Sequence, residues 1–318
     1  MSTTTVPETR DHSASDEAHT LARAGTVRLF RDAAARARAA DVTMAARALG
    51  HSSITTLVPA VIAVIGFVSA FGLDDLRGRL AEAAMSFAPG PAGGILTDAL
   101  EGAKPSSGVL ALVAGLAGML FSGTLGMVML ERAANRIYGV EEHRPLVRRY
   151  GLGLLLAATV GVMLTVALAV VVAGGSVGDG NGTGAQASSG VWSIARWPVG
   201  VGLVVVAMTV IFRVVPNRRQ PGFSWLLSGT VVSVVAWIGA TLLLGWFYEH
   251  VTGLGGSYGP LLGIIALLVW AYATGLAVLF GLSFAAELEA ARASESEPSQ
   301  TIGSDRGAVA QSVRAADS

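Results

Sequence analysis

The sequence contains no cysteine, and only 14% of its 318 residues are charged. The first absence excludes a disulfide framework, a thiolate metal site and a cysteine nucleophile. The second separates the chain from water-soluble domains, in which about 25% of residues are charged. The 22 basic and 22 acidic residues cancel, so the basic surplus of a typical nucleic-acid-binding protein is also missing. No nucleic-acid partner is therefore expected.

Long apolar runs take the place of charge. A bilayer core about 30 Å thick is crossed by roughly 20 consecutive apolar residues in a helix. Because backbone polar groups in lipid must be satisfied within their own segment, each such run is expected to be a helix. The fold class is therefore all-α, a polytopic transmembrane helical bundle with the lipid bilayer as its main partner. The six predicted spans cover residues 54–73, 108–130, 152–173, 197–215, 223–248 and 260–286.

The basic residues are divided unevenly among the segments that connect these spans. Eighteen of the 22 lie in the two tails and in the second and fourth loops, when Arg213 near the end of the fourth span is counted with the fourth loop, and four lie in the other three loops. Cytoplasmic segments of membrane proteins carry the excess of Lys and Arg. The alternation therefore predicts an even number of spans with the N and C termini both in the cytoplasm.

Three segments outside the predicted membrane domain, residues 53–289, differ in composition. Residues 1–20 and 290–318 are rich in small polar and charged residues and are expected to be disordered. Residues 21–52 are rich in Ala and Arg at near-helical spacing. This pattern is typical of an interfacial helix that binds anionic lipid headgroups. An ordinary solvated helix explains it equally well.

Residues that could carry chemistry are scarce within the spans. No Asp, Glu, Lys or His occupies the interior of any run, which disfavours a proton-driven pump with a carboxylate at the bilayer midplane. The sequence has no phosphate-binding loop and no paired histidines at metal-ligand spacing. We therefore expect no catalytic residue, no cofactor and no metal site. Arg213 is the exception worth testing, because it lies within an apolar stretch.

Small residues recur at four-residue spacing in two of the spans. Gly118, Ser122 and Gly126 form such a stripe in the second span, and Gly281 belongs to one in the sixth. Small residues let helices approach closely in lipid, so these stripes predict contact seams within one bundle. A seam between two copies of the chain, giving a homo-oligomer, is the alternative.

Short motifs lie at the ends of the spans, among them NRIYGV at residues 135–140 after the second span and FRVVPNR at residues 212–218 at the end of the fourth. In their order and placement these motifs resemble the YihY/BrkB family of bacterial inner-membrane proteins over residues 41–289. One departure occurs at Ala285, where the family usually has glycine before Ala-Glu, which puts a close backbone approach there in doubt. The motif residues singled out as candidate functional positions are Pro59, Asn135, Tyr138, Arg144, Arg213, Pro216, Asn217, Trp237, Tyr258, Gly259, Trp270, Tyr272 and Glu287.

The resemblance implies a location in the bacterial inner membrane but no settled activity. Some members carry names linked to serum resistance or virulence, and others a ribonuclease BN label. That label looks like a misassignment, because the sequence lacks the clustered carboxylates and histidines of metal-dependent nucleases. A permease or exporter of unknown substrate is the leading hypothesis. A non-catalytic membrane scaffold or envelope-organising protein is the alternative, and a tRNA-processing ribonuclease is the remote one.

Overall fold

A computed structural model describes most of the chain, and every regular element within the described residues is an α-helix. The described residues are 5–7, 20, 23, 25–73, 78–80, 82, 85, 88, 90–101, 108–140, 144–173, 183–250 and 254–316. The eight helices, numbered in chain order, are α1 (Thr26–Ala39), α2 (Val42–Phe71), α3 (Pro91–Glu101), α4 (Gly108–Tyr138), α5 (Leu146–Ala173), α6 (Thr183–Val214), α7 (Phe223–His250) and α8 (Leu254–Ala316).

Six of these helices are long and apolar enough to cross a membrane, which confirms the polytopic helical bundle. The candidate spans are Val42–Phe71, Gly108–Tyr138, Leu146–Val171, Ala195–Val214, Trp225–His250 and Leu261–Ala293. Several of them extend beyond the predicted apolar runs. Hydropathy registers where polar residues begin, whereas the helix continues until its backbone hydrogen bonds end.

The six spans form a closed ring. Neighbours in sequence pack together in the order α2, α4, α5, α6, α7 and α8, and α8 then packs against α2. The short helix α3 packs on α8 and also contacts α2. Because each span contacts the next, the walls of the ring are helices and its centre is available for a cavity.

The small residues of the two predicted stripes lie where spans meet. A Cβ atom on Gly118 would be 2.9 Å from Pro59 Cβ, and one on Gly126 would be 2.9 Å from Ser52 Oγ. These contacts join α4 to α2. In the sixth span, Gly281 packs against Gly229 of α7. Close packing of small residues is the main source of helix association in lipid.

The Ala-Arg segment that the sequence treats as one unit is divided in two. Asp41 adopts a left-handed conformation (φ 53°) between α1 and α2, and residues 42–52 belong to α2. Helix α1 buries Leu29 and Ala33, and the Phe30 ring contacts the Phe284 ring of α8 in a tilted arrangement with centroids 5.0 Å apart. The apolar stripe of α1 therefore packs on α8.

The two tails that the composition predicts to be disordered are described in part. Residues 5–7 contact the bundle, with Val6 only 3% exposed and its N–H donating to the Tyr138 carbonyl at 3.1 Å. At the other end, α8 continues as helix to Ala316, because the residues after Glu287 include many strong helix formers such as Ala, Glu and Arg. The predicted tail positions 1–4, 8–19, 317 and 318 lie outside the described residues.

Candidate functional site

Seven charged residues gather at the end of the bundle where α4, α6 and the membrane-spanning part of α8 finish. We call this group the arginine-carboxylate cluster. It contains four arginines and three glutamates, and its members come from α1, α4, the start of α5, the α6–α7 connection and α8. They are Arg36, Glu131, Arg144, Arg149, Arg218, Glu287 and Glu289.

Glu131 is the central carboxylate on α4 and is 3% exposed. Its Oε1 lies 3.3 Å from Arg144 Nη1 and 3.8 Å from Arg149 Nε. Two guanidinium groups thus surround one buried carboxylate. Removing one member of a buried ion pair typically costs about 3–5 kcal/mol, because the remaining charge is left without compensation.

Arg144 also fastens the end of α6. Its Nε donates to Asn217 Oδ1 at 2.9 Å, and its guanidinium donates to the carbonyl oxygens of Val214, Val215 and Pro216 at 3.2–3.4 Å. The last carbonyls of a helix have no intrahelical partners, so a cation there satisfies them. Nearby, Asn135 Oδ1 accepts a 2.8 Å hydrogen bond from the Asn217 backbone N–H. These bonds join the end of α4 to the end of α6.

Arg218 connects residues 6 and 7 to α8. Its Nη2 lies 2.5 Å from Glu289 Oε1, with both side chains almost fully buried, and its guanidinium lies 4.7 Å from the centre of the Tyr138 ring. The same arginine donates to the carbonyls of Val6 and Pro7, each at 3.2 Å. Residues 6 and 7 are therefore held against the cluster by Arg218.

Arg36 brings α1 into the same cluster. Its Nε lies 2.6 Å from Glu287 Oε2 on α8, and its Nη1 donates to the Ile137 carbonyl at 3.2 Å. Glu287, a predicted motif residue, thereby ties the last span to the helix that precedes the first one. The two ends of the membrane domain meet at this bond.

A cavity in two lobes occupies the centre of the ring. The first lobe has a volume of about 410 Å³ and the second about 310 Å³, within the range of about 300–1,000 Å³ usual for ligand sites. The first lobe is lined by α2, α3, α5, α6 and α7, and the second by α2, α5, α6, α7 and α8. The lobes share the lining residues Leu57, Leu164, Val204, Val234 and Trp237.

Two tryptophans stand in the wall of this cavity. Trp237 donates its indole N–H to Thr274 Oγ1 at 3.1 Å, and Trp270 donates to Thr241 Oγ1 at 3.0 Å. Their rings lie 6.3 Å apart. Each indole is thus fixed by a threonine on the neighbouring helix, so the α7–α8 wall is held in place.

A packed layer of side chains separates the cavity from the arginine-carboxylate cluster. The second lobe is lined by Met208 of α6 and Val278 of α8, each about one helical turn before a member of this layer. The layer is buried almost completely and comprises Phe212, Val215, Leu226, Leu279, Leu282 and Ala286. The cavity is therefore closed at the cluster end.

The structure distributes the sequence-predicted residues over these regions. Asn135, Tyr138, Arg144, Asn217 and Glu287 lie in or beside the cluster. Pro216 is buried beside the cluster, and Trp237 and Trp270 line the cavity. Pro59 and Ser122 lie at the α2–α4 seam, and the Tyr272 backbone contacts Gly50. The side chain of Tyr258 and the surroundings of Gly259 lie outside the described residues.

Arg213 was singled out by its apolar surroundings, but it points away from both regions. It is exposed, and its guanidinium lies 4.5 Å from the centre of the Phe223 ring. The buried arginine is Arg218, five residues further along. Neighbouring sequence alone does not tell which of several arginines after a span turns inward.

Sequence reasoning also missed Glu131, Arg36, Arg149, Arg218 and Glu289 as partners. The sequence does place glutamates just after the second and sixth spans, at the same predicted end of the bundle as these arginines. This is weak evidence for ion pairs, because glutamates at that depth commonly face water at the membrane interface. Within the part of the chain that the structure describes, no three His, Asp or Glu side chains are grouped as a metal site would require.

Comparison with known proteins gives a family match over most of the chain. The family model described as virulence factor BrkB matches residues 33–303. The ribonuclease-like protein YfkH of Bacillus subtilis is 25% identical over 170 residues, covering 52% of this chain and 62% of that protein. No solved structure is significantly similar to the chain.

Two further relatives are named only as membrane proteins of the UPF0761 group. The one from Rhodospirillum rubrum is 29% identical over 254 residues, covering 78% of this chain and 56% of its own length. The one from Xanthomonas axonopodis pv. citri is 30% identical over 270 residues, covering 78% and 58%. The chain thus spans about three fifths of the length of these relatives.

Proposed function

Because the chain belongs to the virulence factor BrkB family of multi-pass membrane proteins, we propose that it is a permease or exporter. The observation that carries the proposal is a central cavity in a ring of six spans, closed at one end by the packed layer and the arginine-carboxylate cluster. A scaffold has no need of a cavity in its centre. A transporter needs one that opens to alternate sides.

The arginine-carboxylate cluster at the closed end has features expected of a group that can switch between two sets of ion pairs. Its ion pairs join α1, α4, α6 and α8 through side chains, which can exchange partners without refolding a helix. Within the described part of the chain, the buried amide nitrogen of Asn135 has no hydrogen-bond partner. A buried donor of this kind is costly, and a second arrangement in which it is satisfied would explain its presence.

The distribution of basic residues supports placing this closed end in the cytoplasm of a bacterial cell, at the inner membrane. Helix α1 would then lie on the cytoplasmic face. Its Arg28 and Arg31 side chains are 74% and 77% exposed. Both could reach anionic headgroups, each contact being worth about 1 kcal/mol.

The test uses the natural absence of cysteine. Ala286 in the packed layer and Ala33 on the buried face of α1 are both fully buried alanines. We expect Ala286→Cys in membrane vesicles to react slowly but measurably with a maleimide, because the packed layer opens during transport. Ala33→Cys should stay inert, and exposed Arg132→Cys should react at once. Equal inertness of Ala286→Cys and Ala33→Cys would contradict a transport cycle.

A membrane scaffold is the second candidate. It is favoured by α1, which is fixed to α8 on one face and leaves Val27 exposed with Arg28 beside it on the other. A surface held in this way suits a protein partner. Removal of residues 1–40 should then abolish recovery of that partner, and unchanged recovery would rule the scaffold out.

We also propose that the protein is not a nuclease. The buried carboxylates Glu131 and Glu289 face arginines, which compete with any metal ion for the same oxygens. The ribonuclease-like name belongs to the Bacillus relative, which matches about half of the chain. The purified protein should leave tRNA intact in the presence of Mg²⁺ or Zn²⁺, and cleavage lost in Glu131→Gln would overturn this proposal.

A further inference from the structure

The polar groups in the wall of the cavity are already used by the protein. Ser233 Oγ donates to the Ala277 carbonyl at 2.8 Å, and Ser53 Oγ donates to the Leu49 carbonyl at 2.9 Å. Thr274 Oγ1 accepts from Trp237 and donates to the Trp270 carbonyl. A hydrophilic solute entering the cavity would lose its water without gaining hydrogen bonds, which costs about 1–3 kcal/mol per group. The described walls therefore select an apolar occupant.

The shape of the cavity suits a chain more than a compact molecule. Along α6 the lining runs from Trp197 in the first lobe to Met208 in the second. Eleven residues of helix correspond to about 17 Å. The two lobes adjoin, because side chains such as Leu164 and Val204 line both of them. An elongated apolar space of this kind fits an extended hydrocarbon chain.

The positively charged Arg196 lies beside the first lobe. Arg196 precedes the lining residue Trp197, and its guanidinium lies 5.8 Å from the centre of that indole ring. Its Nη1 donates to the carbonyl of Val171, another lining residue, at 3.4 Å. Among the residues that the structure describes, Arg196 Nε is buried and has no hydrogen-bond partner. The guanidinium thus retains donor capacity beside an apolar cavity.

We infer that this cavity binds an amphiphile, with its hydrocarbon chain in the two lobes and its anionic phosphate group at Arg196. Guanidinium groups bind phosphate through charge-assisted hydrogen bonds, and the apolar walls supply the site for the chain. The inference rests on the proposed function only in making this amphiphile the transported substrate. Binding itself does not require transport.

Quenching of a single tryptophan tests occupancy by the chain. In a variant that keeps Trp237 and replaces the other five tryptophans by Phe, a phospholipid brominated along its acyl chain should quench the fluorescence. Ala60 lines the first lobe, and Ala60→Phe should reduce the quenching at least twofold by occupying the space. Ala117→Phe, on an exposed position of α4, should leave it unchanged. Equal quenching in all three proteins would overturn occupancy of the cavity.

The headgroup assignment has its own variant. Arg196→Gln should weaken binding of phosphatidylglycerol in nanodiscs about tenfold, equivalent to about 1.4 kcal/mol, and should leave binding of uncharged diacylglycerol unchanged. Arg132→Gln, at an exposed arginine of the opposite end, is the control. Equal loss of both lipids, or no loss of either, would overturn the role of Arg196. Comparison with a polyprenyl phosphate shows whether a glycerophospholipid or an isoprenoid phosphate is preferred.

The two proposals fail in different ways. Brominated lipid that quenches Trp237, together with an inert Ala286→Cys, would leave the lipid site standing and remove the transport cycle. A reactive Ala286→Cys together with absent quenching would support transport of another substrate and remove the lipid site.

Discussion

The cluster end of the ring and the centre of the ring are built on opposite principles. At one end, arginines and glutamates are buried and held by bonds as short as 2.5 Å, and the packed layer beside them has almost no exposed surface. Beyond that layer, the centre of the ring contains about 410 Å³ and 310 Å³ of apolar space. A protein interior is normally packed without such voids.

This difference shows where the fold derives its stability and where it leaves room. Within lipid, burial of apolar surface does not drive helices together, so packing and polar bonds must hold them. The cluster end provides both, whereas the walls around the cavity are joined mainly by small residues and the two tryptophan–threonine bonds. Substitutions at the cluster end should therefore lower stability more than substitutions in the cavity wall.

The largest effect is expected for Arg218→Ala. This change leaves Glu289 buried at 1% exposure and also removes the contacts with Tyr138, Val6 and Pro7. We expect unfolding in detergent to become easier by about 3–5 kcal/mol, measured by denaturant titration. The exposed Arg132→Ala should change the free energy by less than about 0.5 kcal/mol. Similar small effects for both would mean that the buried pair does not hold the cluster end together.

An intermediate effect should separate the packed layer from the cavity wall. Phe212→Ala opens a void in the packed layer and should cost on the order of 2 kcal/mol, less than in a water-soluble core because the transfer from water is absent. Leu164→Ala only enlarges space already present, so its cost should be under about 1 kcal/mol by the same measurement. Equal costs would show that the cavity is filled by the protein in solution.

The smallest effect is expected from removal of residues 1–7. This deletion breaks the Val6 N–H bond to the Tyr138 carbonyl and the two carbonyl bonds to Arg218. Since water can replace part of these hydrogen bonds, we expect a loss of about 1 kcal/mol. Hydrogen exchange at residues 137–140 should rise at the same time. Unchanged exchange there would mean that the segment is not docked in solution.

The fold was largely predictable because lipid imposes one dominant rule. Apolar runs of sufficient length must be helices, and six runs gave six spans. The bounds were less predictable, since polar residues extend α4 from 130 to Tyr138 without interrupting its backbone bonds. The turn at Asp41 was also missed, because a left-handed aspartate leaves no signal in hydropathy.

The site was predictable only in part. Asn135, Arg144 and Asn217 were selected from a family resemblance, and the structure shows that they are joined by hydrogen bonds. Ala285 was a departure from the family pattern that put a close approach in doubt. Gly229 of α7 provides the space instead, since a Cβ there would lie 2.7 Å from Ala285 Cβ. Contacts such as Arg36 with Glu287, 251 residues apart, have no local signature.

That separation has a consequence for biosynthesis. Arg36 emerges from the ribosome early, and its partner Glu287 follows 251 residues later. At about 5–20 residues per second, the interval is roughly 10–50 s. During it the first five spans can insert, but neither the α8–α2 closure of the ring nor the bonds of Arg36 and Arg218 to the last span can form. The order of translation therefore places the sealing of the cluster end after the insertion of the first five spans.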